Sequence, residues 1–291
     1  MQGIVGIVGL GIMGGAIARN LVATGWRVIG FDTEPARRAE AAQDGVEAAD
    51  SLAALARDAP TVLTSLPTPE AAVATAEAIA AGAFERRVVI ETSTLALDDK
   101  LAVERTLSAA GHVALDCPLS GTGAQARTRD LVVYASGDAA AIEAHRALFE
   151  GFARRTENLG AFGNGSRMKF VANLLVAIHN VASAEAMVLG LKAGLDPHQV
   201  VELIGAGAGS SRVFELRAPM MAESRYEPAT MRLGTWRKDM AVIGEFARAL
   251  GSPTPLFDAT QPIYGSAAAE RAAEDTAAVC TVLEKLAGIE R

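Results

Sequence analysis

The chain has 291 residues, half of them hydrophobic, with few aromatics and a formal net charge of -7. That length suffices for one large or two ordinary domains and for burying about 75% of the unfolded surface, while the acidic balance without a Lys/Arg cluster argues against nonspecific nucleic-acid binding. Two cysteines, Cys117 and Cys280, lack metal-ligand spacing, so no metal site and a reducing, cytoplasmic compartment are expected.

The first predicted element is the β-branched run Ile4, Val5, Ile7, Val8, which has the character of a buried parallel strand. It begins within a few residues of Met1, so no signal or transit peptide is expected. Gly9-Leu10-Gly11-Ile12-Met13-Gly14 follows at once, and Ala16, Ile17, Asn20 and Leu21 carry a helical pattern to a stop at Gly25. Glycines at that spacing allow a tight turn, close approach to a pyrophosphate and close helix–strand packing. The helix N-terminus then offers unpaired N–H groups and the positive end of its dipole to phosphates. A second strand, Arg27 to Phe31, ends in Asp32, where the dinucleotide fingerprint places an acidic ribose ligand. A carboxylate there hydrogen-bonds a 2′-hydroxyl and repels a 2′-phosphate, so NAD is favoured; Arg37 and Arg38 lie close enough to leave NADP open.

Further strands are predicted at 61–66, broken by Pro67 and Pro69, then at 88–92, 112–116 and 131–135. Short apolar strands alternating with alanine-rich helices predict a Rossmann-type doubly wound α/β domain over residues 1–162. Ligands in such sheets sit outside the carboxyl ends of the strands, which singles out Leu66-Pro67, Ser93-Thr94 and Pro118 to Thr122. Ser120-Gly121-Thr122-Gly123 offers hydroxyls and open N–H groups to a carboxylate or phosphate, with an ordinary loop as the alternative. Asp98-Asp99 has the pattern of an exposed helix start, and Asp116 that of a structural acceptor.

After the glycine-rich stretch from Gly160 to Ser166 the pattern becomes helical, predicting an all-α domain over residues 163–291. Its first helix, from about Arg167 to Ala193, is apolar on most faces, which predicts burial between domains or subunits and a homodimer or homotetramer. No membrane-spanning run is expected, since Asn173, His179, Asn180 and Glu185 interrupt it. Lys169 and Asn173 share one face of this helix. A lysine in that apolar setting, near a nicotinamide, could have a lowered pKa and act as general acid/base; snorkelling to the surface is the alternative. Lys238-Asp239 has the default character of a surface pair. The four histidines show no ligand spacing.

These motifs together resemble the β-hydroxyacid dehydrogenase family, over essentially the whole chain. The resemblance rests on Gly9 to Gly14 with Asn20-Leu21, on Asp116-Cys117-Pro118-Leu119-Ser120-Gly121-Thr122, on Gly160-x-x-Gly163-x-Gly165-x-x-x-Lys169-x-x-x-Asn173, and on Lys238-Asp239-Met240. It implies an NAD(P)-dependent hydride transfer to or from a small 3-hydroxy acid or its semialdehyde, without a metal. Lys169 matches the acid/base lysine and Asn173 the residue that helps orient lysine and substrate. Ser120, Gly121 and Thr122 match the substrate carboxylate site. Leu66, Pro67 and Thr94 match the lining of the cofactor's ribose and nicotinamide, and Lys238 a lysine that closes the cleft.

Two departures bear on the substrate. Thr122 stands where the family usually has glycine, and Arg129-Asp130 where a Gly-Thr pair is usual. Arg127 or Arg129 could recognise a second acidic group, against the alternative of two surface arginines. An imine reductase of the same fold and a catalytically silent dinucleotide-binding module are the rival functions. The presence of Lys169 counts against the first, and its company with Asn173 and Ser120 against the second.

Overall fold

The computed structural model describes residues 2–291. Among them nine strands form one sheet: β1 (Ile4–Val8), β2 (Arg27–Phe31), β3 (Glu47–Ala48), β4 (Thr61–Thr64), β5 (Val88–Glu91), β6 (Val113–Asp116), β7 (Leu119–Ser120), β8 (Val132–Gly137) and β9 (Arg155–Asn158). The order is β3-β2-β1-β4-β5-β6-β8-β7, with β9 paired to β8. The first six are parallel to one another; β8 runs antiparallel to β6 and β7. Strand order reverses between β1 and β4, and a ligand crevice lies outside the carboxyl ends of strands at such a switch point.

Helices α1 (Ile12–Ala23), α2 (Pro35–Gln43), α3 (Leu52–Asp58), α4 (Pro69–Ala80), α5 (Leu97–Ala109), α6 (Gly123–Arg127), α7 (Ala139–Ala144) and α8 (Arg146–Phe152) cover the sheet. Side chains alternate across each strand, so successive residues enter different cores. Leu63, Ile90 and Leu115 pack with Ile17 and Leu21 of α1 and Phe149 and Phe152 of α8. Their neighbours Val62, Val89 and Ala114 pack with Leu55, Ile79 and Leu107 of α3, α4 and α5. This is the expected Rossmann-type architecture. The strands β3, β7 and β9 carry no sequence signal: two are two residues long, and the third reads Arg-Thr-Glu-Asn.

The chain divides into two compact units, Met1–Lys169 and Phe170–Arg291. Helix α9 (Asn164–Lys192) starts in the first. Its opening turn is bonded there, Gly165 N–H to Ser136 Oγ at 2.9 Å and Ser166 N–H to Asp116 Oδ2 at 2.8 Å. Those bonds carry the division a few residues past the expected boundary at 162/163. The second unit is helical throughout: the rest of α9, then α10 (Pro197–Gly205), α11 (Arg212–Ala222), α12 (Leu233–Ala249), α13 (Pro255–Arg271), a 3₁₀ turn (Thr276–Ala278) and α14 (Val279–Leu286).

One expectation needs correction. Helix α9 is long and apolar enough, by length and composition, to cross a membrane. The polar residues that interrupt its sequence do not shorten that stretch; Glu185 is exposed, while Asn180 fastens the helix within its own unit. Asn180, fully buried, donates to Tyr264 Oη and to the Thr276 carbonyl, both at 2.9 Å. Phe170, Ala177, Val181, Ala184 and Met187 share this buried face at helical spacing, while Val171, Leu175 and Leu189 are exposed.

Asp275 is the polar centre of the helical unit. Its carboxylate accepts from Thr230 N–H and Oγ1 at 2.7 Å, Met231 N–H at 3.1 Å, Ala277 N–H at 3.0 Å and Arg217 Nε at 3.3 Å. Burial works against ionisation, but Arg217 and these donors outweigh it and hold the carboxyl below its ordinary range. A depressed carboxyl contributes stability above its unfolded pKa of about 3.9 and loses it as pH falls through the lower folded value. Asp275→Asn is therefore expected to cost about 3 kcal/mol near neutral pH. In urea titrations the difference from wild type should shrink as pH approaches about 3; a pH-independent difference would contradict the assignment.

Candidate active site

The glycine turn is built for close approach. Gly9 has φ +90°, and a Cβ there would lie 2.2 Å from the Ser65 carbonyl oxygen at the end of β4. A Cβ on Gly14 would sit 1.9 Å from the Gly9 carbonyl oxygen, so α1 packs directly on its own turn. Gly11 differs: a Cβ would meet only the Arg37 guanidinium, at 3.5 Å. It caps α1 without a side-chain acceptor, which leaves the first N–H groups of the helix to an anion. The turn thus fits a pyrophosphate, with Leu10 buried, Ile12 exposed and Met13 half-buried around it.

Asp32 is buried at the end of β2. Its Oδ2 accepts the Leu10 N–H at 2.8 Å and its Oδ1 the Glu34 N–H at 2.9 Å. Oδ1 keeps a lone pair for a ribose hydroxyl. Arg37 lies 3.5 Å from Oδ2, and Arg38 donates to the Asp32 backbone carbonyl.

The loops after β4 and β5 are stitched together. Leu66 N–H donates to Ser93 Oγ at 2.8 Å, and Thr92 Oγ1 to the Thr64 carbonyl at 2.7 Å. Leu66 and Thr94 are half-buried and Pro67 is exposed, all at the carboxyl edge of the sheet beside the glycine turn. Helix α6 is held against α1: Asn20 Nδ2 donates to the Ala126 carbonyl at 2.7 Å, and Gly123 leaves room for Ile12.

Lys169, buried in the opening turn of α9, donates from Nζ to the Leu119 carbonyl at 2.6 Å. That carbonyl is available because of ladder alternation. Tyr134 N–H bonds the Pro118 carbonyl at 3.0 Å, so Leu119, one residue on, occupies a non-hydrogen-bonded position opposite Val133. The lysine is thus fixed beside Ser120, which is half-buried like Gly121 and Thr122. Thr122 N–H, matched by the resemblance to a carboxylate, is already engaged by Gln125 Oε1 at 3.0 Å. Arg127 and Arg129 are exposed, and Arg129 has φ +60°. That left-handed conformation accounts for glycine being usual there, at a cost of roughly 1–2 kcal/mol for another residue.

In the helical unit Asn173 and Lys238 meet on Asp239. Asn173 Nδ2 lies 3.4 Å from Asp239 Oδ2, and Lys238 Nζ lies 3.5 Å from Oδ1. Asp239 is buried, so the surface-pair pattern of Lys238-Asp239 is misleading; its sole signal in sequence is its place in the Lys-Asp-Met motif. Gln125 and Ser166 carried no sequence signal of their own, since each acts through hydrogen bonds to backbone or to residues distant along the chain.

The fold and the phosphate turn define a dinucleotide-dependent oxidoreductase. Residues 4–161 match the family described as the NAD binding domain of 6-phosphogluconate dehydrogenase, and residues 163–283 the one described as NAD-binding of NADP-dependent 3-hydroxyisobutyrate dehydrogenase. The L-threonate dehydrogenase of Cupriavidus necator is 31% identical over 96% of this chain and 95% of its own. Glyoxylate/succinic semialdehyde reductase 1 of Arabidopsis thaliana is 28% identical over 81% and 82%. The solved structure of Mycobacterium tuberculosis 3-hydroxyisobutyrate dehydrogenase with L-serine has a TM-score of 0.88 and 29% identity, covering 97% of this chain and 99% of that one. Likeness to an imine reductase shows the fold alone. The chain belongs to the β-hydroxyacid dehydrogenase family and is an NAD(P)-dependent oxidoreductase.

Gly11→Val should leave the fold intact, because no fixed atom crowds that position, yet weaken NADH binding by about a hundredfold or more. Fluorescence titration alongside thermal melting checks this; unchanged affinity would remove the phosphate role from the turn.

Proposed function

We propose that the protein interconverts a small 3-hydroxy acid and its semialdehyde, with Lys169 as general acid/base and NAD favoured over NADP. The observation that carries this reading is the buried Lys169 amine held 2.6 Å from the Leu119 carbonyl, next to Ser120. When bound, the nicotinamide accepts or supplies the hydride. In the oxidative direction Lys169 Nζ takes the hydroxyl proton as the carbon-bound hydrogen leaves as hydride; in reduction Nζ returns the proton to the carbonyl oxygen. Asn173, one turn along the same helix, orients lysine and substrate. Lys238 is assigned to cofactor binding by its match to the family motif.

A carboxylate end suits Ser120 Oγ and the Gly121 N–H, with Thr122 lining the loop. Its relatives are named for small acids carrying an alcohol or aldehyde, which supports the substrate class. We assign no substrate contact to the exposed Arg127 and Arg129. Leu66, Pro67 and Thr94 line the nicotinamide side. Asp32 favours NAD because its buried, fixed carboxylate suits a 2′-hydroxyl, while Arg37 is already turned to that carboxylate and Arg38 to the Asp32 backbone carbonyl. The imine-reductase and silent-module readings have no comparable use for a buried lysine beside Ser120. Exposed Val171, Leu175, Leu189 and Leu203 on the helical unit support a homodimer or homotetramer through that unit. The two buried thiols fit a cytoplasmic setting.

Lys169→Ala should lose about a thousandfold in kcat while binding NADH normally; wild-type rates would sink its role. A panel of 3-hydroxy acids and semialdehydes run with both dinucleotides should show turnover, faster with NAD(H). No turnover with intact cofactor binding would favour the silent module instead. Light scattering should find an assembly larger than one chain, and a monomer would contradict the interface.

A further inference from the structure

Lys100 of α5 is fully buried and has no part in the chemistry above. Its ammonium is paired with Glu91 at the end of β5 and, at 3.0 Å, with Asp116 Oδ1 at the end of β6. Burial alone would pull its pKa down, but the two carboxylates outweigh it and hold the pKa above its ordinary value. One cation therefore serves two buried anions.

Each anion has a second task. Asp116 accepts Ser166 N–H and Oγ, both at 2.8 Å, and Ser136 Oγ at 3.2 Å, so it anchors the first turn of α9. Close packing supports this anchor: a Cβ on Gly165 would lie 2.3 Å from the Tyr134 carbonyl and 2.7 Å from that of Asp116. Three residues past Ser166, Lys169 reaches back to Leu119, three residues past Asp116. Glu91 Oε1 accepts Ser93 N–H at 2.9 Å, and Ser93 in turn holds Leu66.

We propose that Lys100 is a positioning residue whose charge keeps Asp116 and Glu91 together as anions, and so fixes the Lys169 turn and the Ser93–Leu66 junction in register. The proposal rests on the reading of Lys169 as the proton-transfer group. Without Lys100 two carboxylates would face each other in one buried space with no cation between them, and their repulsion would push Asp116 off Ser166 and loosen the turn bearing Lys169.

The decisive comparison is K100M against the double variant E91Q/K100M, which removes one anion along with the cation. K100M should lower kcat by about a hundredfold, the scale set by misplacing a reacting group by about an ångström. Deuterium uptake across residues 163–169 should rise about tenfold, with NADH affinity changed less than about threefold. E91Q/K100M should bring both uptake and kcat back to within about threefold of wild type. A merely structural lysine predicts the opposite: no rescue, and melting temperature falling equally in both variants. If K100M does not fold, the double variant decides alone, and one that is unfolded, or folded but slow, overturns the proposal. Lys169→Ala separates the two readings. Wild-type rates there would sink the acid/base role yet leave the uptake and its rescue to judge Lys100. An inactive Lys169→Ala beside a K100M of normal rate and uptake would sink only the role of Lys100.

Discussion

The segment from Asp116 to Leu119 grips the first turn of α9 at two points, and the site depends on that grip. At one end the Asp116 carboxylate receives the N–H and hydroxyl of Ser166; at the other the Leu119 carbonyl receives Lys169 Nζ. The two anchors differ in kind. The carboxylate sits where helix N–H groups and the positive end of the dipole favour an anion. The carbonyl is a neutral acceptor that fixes the direction of the amine.

That geometry follows from the sheet. Parallel strands β1 to β6 bring their carboxyl ends to one edge, and antiparallel β8 then turns the chain back beside β6. The short β7 pairs with β8 for two residues, and hydrogen-bond alternation there frees the Leu119 carbonyl. A continuation of the parallel pattern would have required a crossover instead of this hairpin-like return. The change of strand direction and the position of the lysine are thus one feature.

Much of this was legible in the residues. Apolar runs marked the long strands, the glycine spacing marked the phosphate turn, and Asp32 marked the end of β2. What escaped had physical reasons. Strands β3 and β7 are too short to show a period, and β9 is held by pairing rather than by apolar alternation. Asp98-Asp99 has the look of an exposed helix start, yet the next residue, Lys100, turns fully inward because two carboxylates wait there. Asp239 looked like half of a surface pair and is buried against Asn173. Pair chemistry between distant strands leaves no local mark.

The buried carboxylates of the first unit differ in their need for a buried cation. Asp32 is satisfied by two backbone N–H groups from the turns it joins, and its nearest arginine remains half exposed. A carboxylate fastened by N–H donors needs no cation in the core. Glu91 and Asp116 lie on adjacent strands at paired positions, too close for two anions to share a dry space. Their register, set by the parallel ladder, creates the demand that Lys100 meets. The same ladder aligns β5 with the loop that carries Thr94 and β6 with the segment that carries Ser120. Charge balance and the alignment of the two sides of the site therefore have a common origin in strand register.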